Sequence, residues 1–312
     1  MGTLGDRIGR LDTGVLVTPR RARAIEADAL ARLARSGLAE DDPRLARLGL
    51  AGRTVAGGRR SVEVVEIRAA DTGVIAPDTD AGPALMYGLK TCHGAEPDSA
   101  VLASRLGVGP TVLDVSDGVI TEEYFPEATN LRHRRPGPDL AEPLGRAMAR
   151  VVTALVRPDA GDLLLHKDEQ PEHLFVLGDG RDLRLRLIDW GRADRWPMDR
   201  LDEWFAAQGY WLHTYLAGDD PAVWRTFAAA LDAGVPDPPG RERLGRAYLA
   251  LVRQQTAALG DPMRRRFALA FLEFSVRCGP LPLDLGWFNR FVADHAHERG
   301  DLLAQAFENA IR

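Results

Sequence analysis

The sequence predicts an α+β protein in two parts, a small antiparallel sheet followed by a larger helical region. Three observations lead there. Between positions 48 and 125, short β-branched and apolar runs alternate with Gly and Asp turns, and only one short helical pattern intervenes. From position 144 onward, apolar residues recur at helical spacing through several segments broken by Gly and Pro. One short β-rich stretch, 163–188, interrupts that helical half. Strands first and helices afterwards is the α+β order. A length of 312 residues accommodates two such parts, and 45% hydrophobic with 27% charged residues excludes a disordered or fibrous chain.

The elements follow in order. Thr18-Pro19 is a helix start, an N-cap followed by proline at the first helical position. Ile25, Ala29, Leu30 and Leu33 then recur at helical spacing, and Gly37 offers a stop. Asp41-Asp42-Pro43 breaks the chain, so 1–45 is expected to be an N-terminal helical extension. Within 55–61, Gly57 and Gly58 form a turn; 62–68 is a strand, 69–83 a loop, and 84–90 a strand. A short helix over 98–106 is expected to bury Val101, Leu102 and Leu106. Strands at 111–115 and 119–125 are joined by Ser116-Asp117-Gly118. Together 46–126 form the first lobe. The Pro-, Gly- and Arg-rich segment 127–139 crosses into a second lobe, 127–312, with helices at 144–156, 199–216, 221–233, 241–258, 264–277 and 286–309.

Composition excludes several classes. A net charge of −5 and a pI near 5.9 argue against a nucleic-acid binder. Two cysteines, Cys92 and Cys278, make no disulfide framework, and no CxxC pair is present. Residues 1–20 lack the apolar core of a signal peptide, and no run approaches the ~18 apolar residues of a membrane span. A cytoplasmic protein is expected. Of the 40 basic residues only Lys90 and Lys167 are lysines, which singles both out.

The stretch 163–192 carries the chemistry. Asp168 follows one apolar run and Asp189 ends another, with a Gly178-Asp-Gly180 turn between apolar strands. Strands paired as a hairpin bring their ends together, so Asp168, His173 and Asp189 are expected to converge. Such convergence suits a metal–phosphate site: hard oxygen ligands for Mg²⁺ and one carboxylate to orient a hydroxyl nucleophile.

This stretch resembles the protein-kinase-like superfamily, whose catalytic loop reads His-x-Asp, four residues, then Asn. Here the pattern is His166-Lys167-Asp168, four residues, then His173. The Mg²⁺ motif corresponds to Asp189-Trp190-Gly191. The match is closer to the aminoglycoside phosphotransferase and lipopolysaccharide-core sugar kinase branches; in the latter a His often replaces the Asn and Ile-Asp-x-x-Arg-Ala follows, as in 188–193. Upstream, Lys90 ends the third strand, a helix follows, and then come 107–113 and the hinge strand 119–125. The resemblance covers about 50–195, rests on five signals in order, and implies a two-lobed kinase-like fold.

It also implies roles. Asp168 would orient or accept the hydroxyl proton, with His166 bracing the loop. Asp189 would bind Mg²⁺, with His173 as metal contact or brace. Lys90 would neutralise α/β-phosphate charge of ATP. Its helix partner would be Asp98 or Glu96, with Asp98 preferred because Leu102 and Leu106 share its face. Backbone from Glu122 through Glu123 to Phe125 would meet the adenine edge, and Gly57, Gly58 and Ser61 would turn over the phosphates. There is no Gly-x-Gly-x-x-Gly pattern, and 169–172 is acidic, which favours a cationic acceptor. The expected activity is ATP- and Mg²⁺-dependent phosphorylation of a hydroxyl on a small molecule or on a peptide Ser/Thr, with no nucleic-acid partner. The alternatives are a pseudokinase that binds nucleotide without turnover, and AMP transfer from the same site.

Overall fold

In the computed structural model the described residues are 3–11, 16–39, 42–57, 60–68, 84–131, 133, 137–166, 171–208, 221–236 and a few helical positions beyond 261. The expected loop 69–83, the helix 241–258, the end of the helix 199–216 and most of the last two helices lie outside them. The chain falls into two compact units: Met1–Arg134 with Glu172–Arg192, and Arg135–Pro171 with Ala193–Arg312. The hairpin within Glu172–Arg192 therefore goes with the sheet rather than with the helical remainder of the chain.

The first unit is built on five antiparallel strands: β1 (Gly49–Gly57), β2 (Arg60–Arg68), β3 (Ala84–Thr91), β4 (Val112–Ser116) and β5 (Val119–Glu123), in the order β1-β2-β3-β5-β4. β4 and β5 join through Asp117 and Gly118, whose φ values of 51° and 70° suit a tight two-residue hairpin turn. Two helices, α1 (Leu4–Ile8) and α2 (Pro19–Arg35), precede the sheet. Thr18 caps α2 with Pro19 at its first turn, and Gly37, at φ 84°, lies just past its end, where Leu38 N–H returns to Leu33 O. Ala22, Ile25, Ala29 and Leu33 form one buried stripe of α2. They share a core with Val65, Ile67, Leu85, Tyr87, Leu89 and Val119 of the sheet. Each fully buried Leu or Ile contributes about 1.5–3 kcal/mol. The segment read from sequence as an extension is therefore a layer of the core.

Polar groups fix how α2 sits on the sheet. Tyr87 Oη donates to Asp28 Oδ2 at 2.9 Å, and Arg32 reaches Asp28 at 2.7 Å and Glu123 at 2.9 Å. Helix α3 (Glu96–Arg105) buries Glu96, Ala100 and Ala103. This corrects the expected face of Val101, Leu102 and Leu106. Small alanines let α3 lie close to the turn Trp190–Arg192, whereas a leucine face would hold it away. Strands β8 (Leu174–Leu177) and β9 (Arg184–Leu187) complete the unit as a hairpin.

In the second unit, α4 (Pro138–Leu155) buries Leu144, Met148, Val151, Val152 and Leu155. It packs against α6 (Pro221–Gly234), which buries Val223, Phe227 and Leu231. Strands β6 (Val156–Arg157), β7 (Asp162–Leu165) and β10 (Asp194–Pro197) form a small sheet with β7 in the middle. On β7 lies α5 (Leu201–Gln208), whose buried Trp204 donates from Nε1 to Leu164 O at 3.0 Å.

The α4–α6 crossing depends on Gly145. A Cβ there would meet Phe227 O and sit 2.8 Å from Ala230 Cβ. Glycine to alanine in a helix normally gains up to ~1 kcal/mol. Here overpacking reverses the sign: Gly145→Ala is expected to lose about 1–3 kcal/mol, read as a lower midpoint in urea unfolding at unchanged slope.

Candidate active site

Lys90 lies next to last in β3, and the sheet register places Val62 of β2 and Ile120 of β5 directly across from it. Two residues back, Gly88 lies opposite Glu122. Residues two apart on a strand share a face, so Lys90 and Glu122 project to the same side. The opposite side carries Leu85, Tyr87 and Leu89 against α2. The ammonium of Lys90 lies 2.6 Å from Glu96 Oε1 and 3.1 Å from Asp189 Oδ1. Glu96 is buried, whereas Asp98 is exposed. The expected preference for Asp98 is thereby corrected to Glu96. Two residues along a helix turn a side chain by about 200°, so when Glu96 faces the sheet Asp98 faces solvent.

Asp189 is positioned by the β8–β9 hairpin. Leu174 pairs with Leu187, and one step beyond, Ile188 N–H donates to His173 O at 2.9 Å. His173 and Asp189 thus emerge at the same end of the hairpin, with His173 Nε2 3.8 Å from Asp189 Oδ2. Asn130 holds this end by donating from Nδ2 to Glu172 O at 2.7 Å. Asp189 has φ 62°, a left-handed conformation uncommon outside glycine and tolerated best by Asn and Asp. Trp190, buried, donates from Nε1 to Leu187 O at 2.8 Å. One glycine makes room beside it and a second makes room beside Glu96. A Cβ on Gly109 would come within 3.1 Å of Trp190 Nε1, and one on Gly191 within 3.4 Å of Glu96 Oε2.

The electrostatics are acidic. Burial opposes the Lys90 ammonium, but Asp189, Glu96 and Glu122 outweigh it and hold its pKa above the usual lysine range. Glu122 is pushed up to about 7, first by burial and then by its carboxylate neighbours Glu96, Asp189 and Glu123, against the pull of Lys90. Glu123 moves the other way: burial opposes ionisation, but Arg32 and Thr111 hold its pKa down. Three carboxylates around one lysine is more negative charge than Lys90 neutralises.

The other expected positions divide. Gly57 ends β1 opposite Arg60, and Ser61 is exposed one residue before Val62, at the same end of the sheet as Lys90. Gly58, Lys167 and Asp168 lie outside the described residues. His166 is buried just after β7, in the second unit. The adenine-edge expectation changes at Glu123. Its side chain turns to Arg32 and its N–H donates to Thr111 O at 2.9 Å, while Tyr124 N–H donates to Met86 O at 2.9 Å. Phe125 is buried against Phe175, ring centroids 5.4 Å apart. Sequence reading missed the side chain of Glu122, whose facing becomes visible only once the β3–β5 register is known.

No protein-family model matches the chain, and no curated protein matches it. Among solved structures it is similar to a choline/ethanolamine kinase family protein from Mesorhizobium loti (17% identity, 86% of this chain and 98% of that chain, TM-score 0.35). It is also similar to a spectinomycin phosphotransferase in complex with ADP and spectinomycin (8%, 90% and 98%, TM-score 0.41). A third is a microcompartment-associated aminopropanol kinase (10%, 92% and 99%, TM-score 0.39). At such identities and TM-scores the chemistry of the site rests on its own residues.

Two outcomes follow. Removing one member of a buried ion pair leaves an uncompensated charge, so Glu96→Ala is expected to lose about 3–5 kcal/mol while Asp98→Ala stays within ~0.5 kcal/mol of the parent in chemical denaturation. The pKa of Glu122 lies above the 4.5 of a free carboxyl, so the fold disfavours its ionised form. Its destabilising effect is absent at low pH and develops as pH rises from about 4.5 through about 7. With EDTA present, Glu122→Gln is therefore expected to raise the unfolding temperature at pH 8, by up to ~3 kcal/mol in stability, and to leave it nearly unchanged at pH 4.

Proposed function

We propose that this protein is an ATP- and Mg²⁺-dependent phosphotransferase acting on a hydroxyl of a small molecule. The observation that carries the reading is Lys90 held between Glu96 and Asp189, at 2.6 and 3.1 Å, behind the Asp189-Trp190-Gly191 turn. A compact ammonium fixed by a buried carboxylate is a rigid partner for phosphate oxygens. Asp189 and His173 would hold Mg²⁺, with phosphate oxygens and water completing its shell, because Mg²⁺ is commonly bound through only one or two carboxylates. The carboxylate excess around Lys90 fits a divalent cation. Bound there, Mg²⁺ would neutralise charge on the phosphoryl oxygens during transfer.

In this reading the chain's own groups divide the work. Glu96 keeps Lys90 charged and oriented. Gly57, Gly58 and Ser61 cover the phosphates, and an adenine edge at 122–125 uses Phe125 rather than the N–H groups of Glu123 and Tyr124, which have other partners. Asp168 takes the proton of the acceptor hydroxyl as its oxygen attacks the γ-phosphorus and the bond to the β-phosphate oxygen breaks, with His166 bracing the loop. In this reading 46–126 serve the nucleotide and the remainder of 127–312 the catalytic loop and acceptor, except that Glu172–Arg192, which carries His173 and Asp189, belongs with the sheet unit.

Titration of ATP with and without Mg²⁺ tests the reading. Binding is expected to require the metal and to be lost in Asp189→Ala; no nucleotide binding by the parent protein overturns the proposal. Asp168→Asn is then expected to retain nucleotide binding and to lower kcat by about 10²–10⁴ on whichever amino alcohol or amino sugar of a test panel gains a phosphoryl group by mass. Gain of an adenylyl group instead would assign AMP transfer.

A further inference from the structure

Helix α2 does more than cover the sheet, because its polar residues reach the end of β5. Asp28 and Arg32 stand four residues apart on α2, with Arg32 Nε 2.7 Å from Asp28 Oδ2. Arg32 Nη1 extends further and donates to Glu123 Oε1 at 2.9 Å. Asp28 in turn accepts from Tyr87 Oη at 2.9 Å, and Tyr87 is the residue of β3 directly across from Glu123. Tyr87, Asp28, Arg32 and Glu123 therefore close a ring through three elements that meet only in the folded chain. The side chains of Arg32 and Glu123 are 12% and 21% exposed, so salt screens their attraction less than that of a surface pair.

The ring closes where the strand stops. Glu123 is the last residue of β5; its N–H donates to Thr111 O at 2.9 Å, and its Oε2 accepts from Thr111 Oγ1 at 3.1 Å. Tyr124 N–H then donates to Met86 O, and Phe125 enters a buried apolar group with Phe175 and Leu177, against which Ile188 packs. The path of 123–125 is thus set at one end by the guanidinium of α2 and at the other by apolar packing. A guanidinium suits this place, since its planar fork meets two carboxylates in a fixed geometry that an ammonium on a flexible stem does not impose. Alternation along β5 keeps the contact off the side where Glu122 faces Lys90.

We propose that Arg32 is a positioning residue for nucleotide binding: through Glu123 it fixes 123–125 in the path that an adenine edge requires, and so makes α2 part of the nucleotide site without touching the nucleotide. The proposal rests on the phosphotransferase reading and adds to it a residue from outside the 46–126 lobe.

The test is titration of ATP with Mg²⁺ into the full chain and its variants, with Arg20→Gln as reference. Arg20 also ties α2 to the sheet, at 2.7 Å from Asp114 of β4, but bypasses Glu123. Arg32→Gln and Glu123→Gln are each expected to weaken nucleotide binding about tenfold, the double variant no more than either, and Arg20→Gln to leave it unchanged. On an acceptor that turns over, KM for ATP is expected to rise while kcat stays within about twofold. Glu123→Gln keeps the shape of its side chain and carries the comparison where Arg32→Gln does not fold. Parent-level affinity in these variants, losses that add in the double variant, an equal loss in Arg20→Gln, or a loss carried by kcat overturns this proposal alone. Absence of nucleotide binding by the parent protein overturns the phosphotransferase reading and the proposal together.

Discussion

The ion pairs of Lys90 with Glu96 and Asp189 tie together four separate stretches of sequence. β3 supplies the lysine, α3 the buried glutamate, and the end of β9 the aspartate, while β5 adds Glu122 on the same face. Charges removed from water are tolerated only when partnered, so each element is constrained by the others. The small side chains around the cluster follow from this. Ala100 and Ala103 let α3 approach the Trp190 turn, Gly191 leaves space beside Glu96, and Gly109 leaves space beside Trp190. Replacing any of them with a larger residue would move a charge away from its partner.

The cluster is unbalanced by design of its neighbours rather than by a single residue. Glu96 is matched by Lys90, but Asp189 and Glu122 add further negative charge on the same face. Burial and the neighbouring carboxylates push Glu122 up to about 7. Asp189 itself keeps a left-handed backbone, a conformation with a cost of order 1–3 kcal/mol that the surrounding hairpin and the Trp190 anchor sustain. On the other side of β5, Glu123 turns to Arg32 of α2, which Asp28 also holds. Alternation along one strand thus turns Glu122 toward Lys90 and Glu123 toward Arg32.

Much of this was legible in local sequence. Thr18-Pro19, Gly37 and Asp117-Gly118 mark their boundaries because capping and turn geometry depend on a few adjacent residues. The strand order, the scarcity of lysine, and the motifs at His166 to His173 and at Asp189 to Gly191 are likewise readable from spacing. The choice between Asp98 and Glu96 was not. Both sit in the first turn of α3, and the leucines suggested one face while the alanines form the buried one. A helix packed against a tight turn favours small residues, and which turn it meets is a long-range fact.

By itself the sequence determined the kinds and the order of most of the described elements and supplied the charged residues that the fold brings together. Tertiary structure decided which of those residues meet: Glu96 with Lys90, His173 beside Asp189, Glu122 toward the lysine, and Glu123 toward Arg32. It also decided that α1 and α2 belong to the core. The physical reason is range. Backbone preference and capping act within a few residues, whereas facing and charge pairing depend on strand register and packing between segments far apart in the chain.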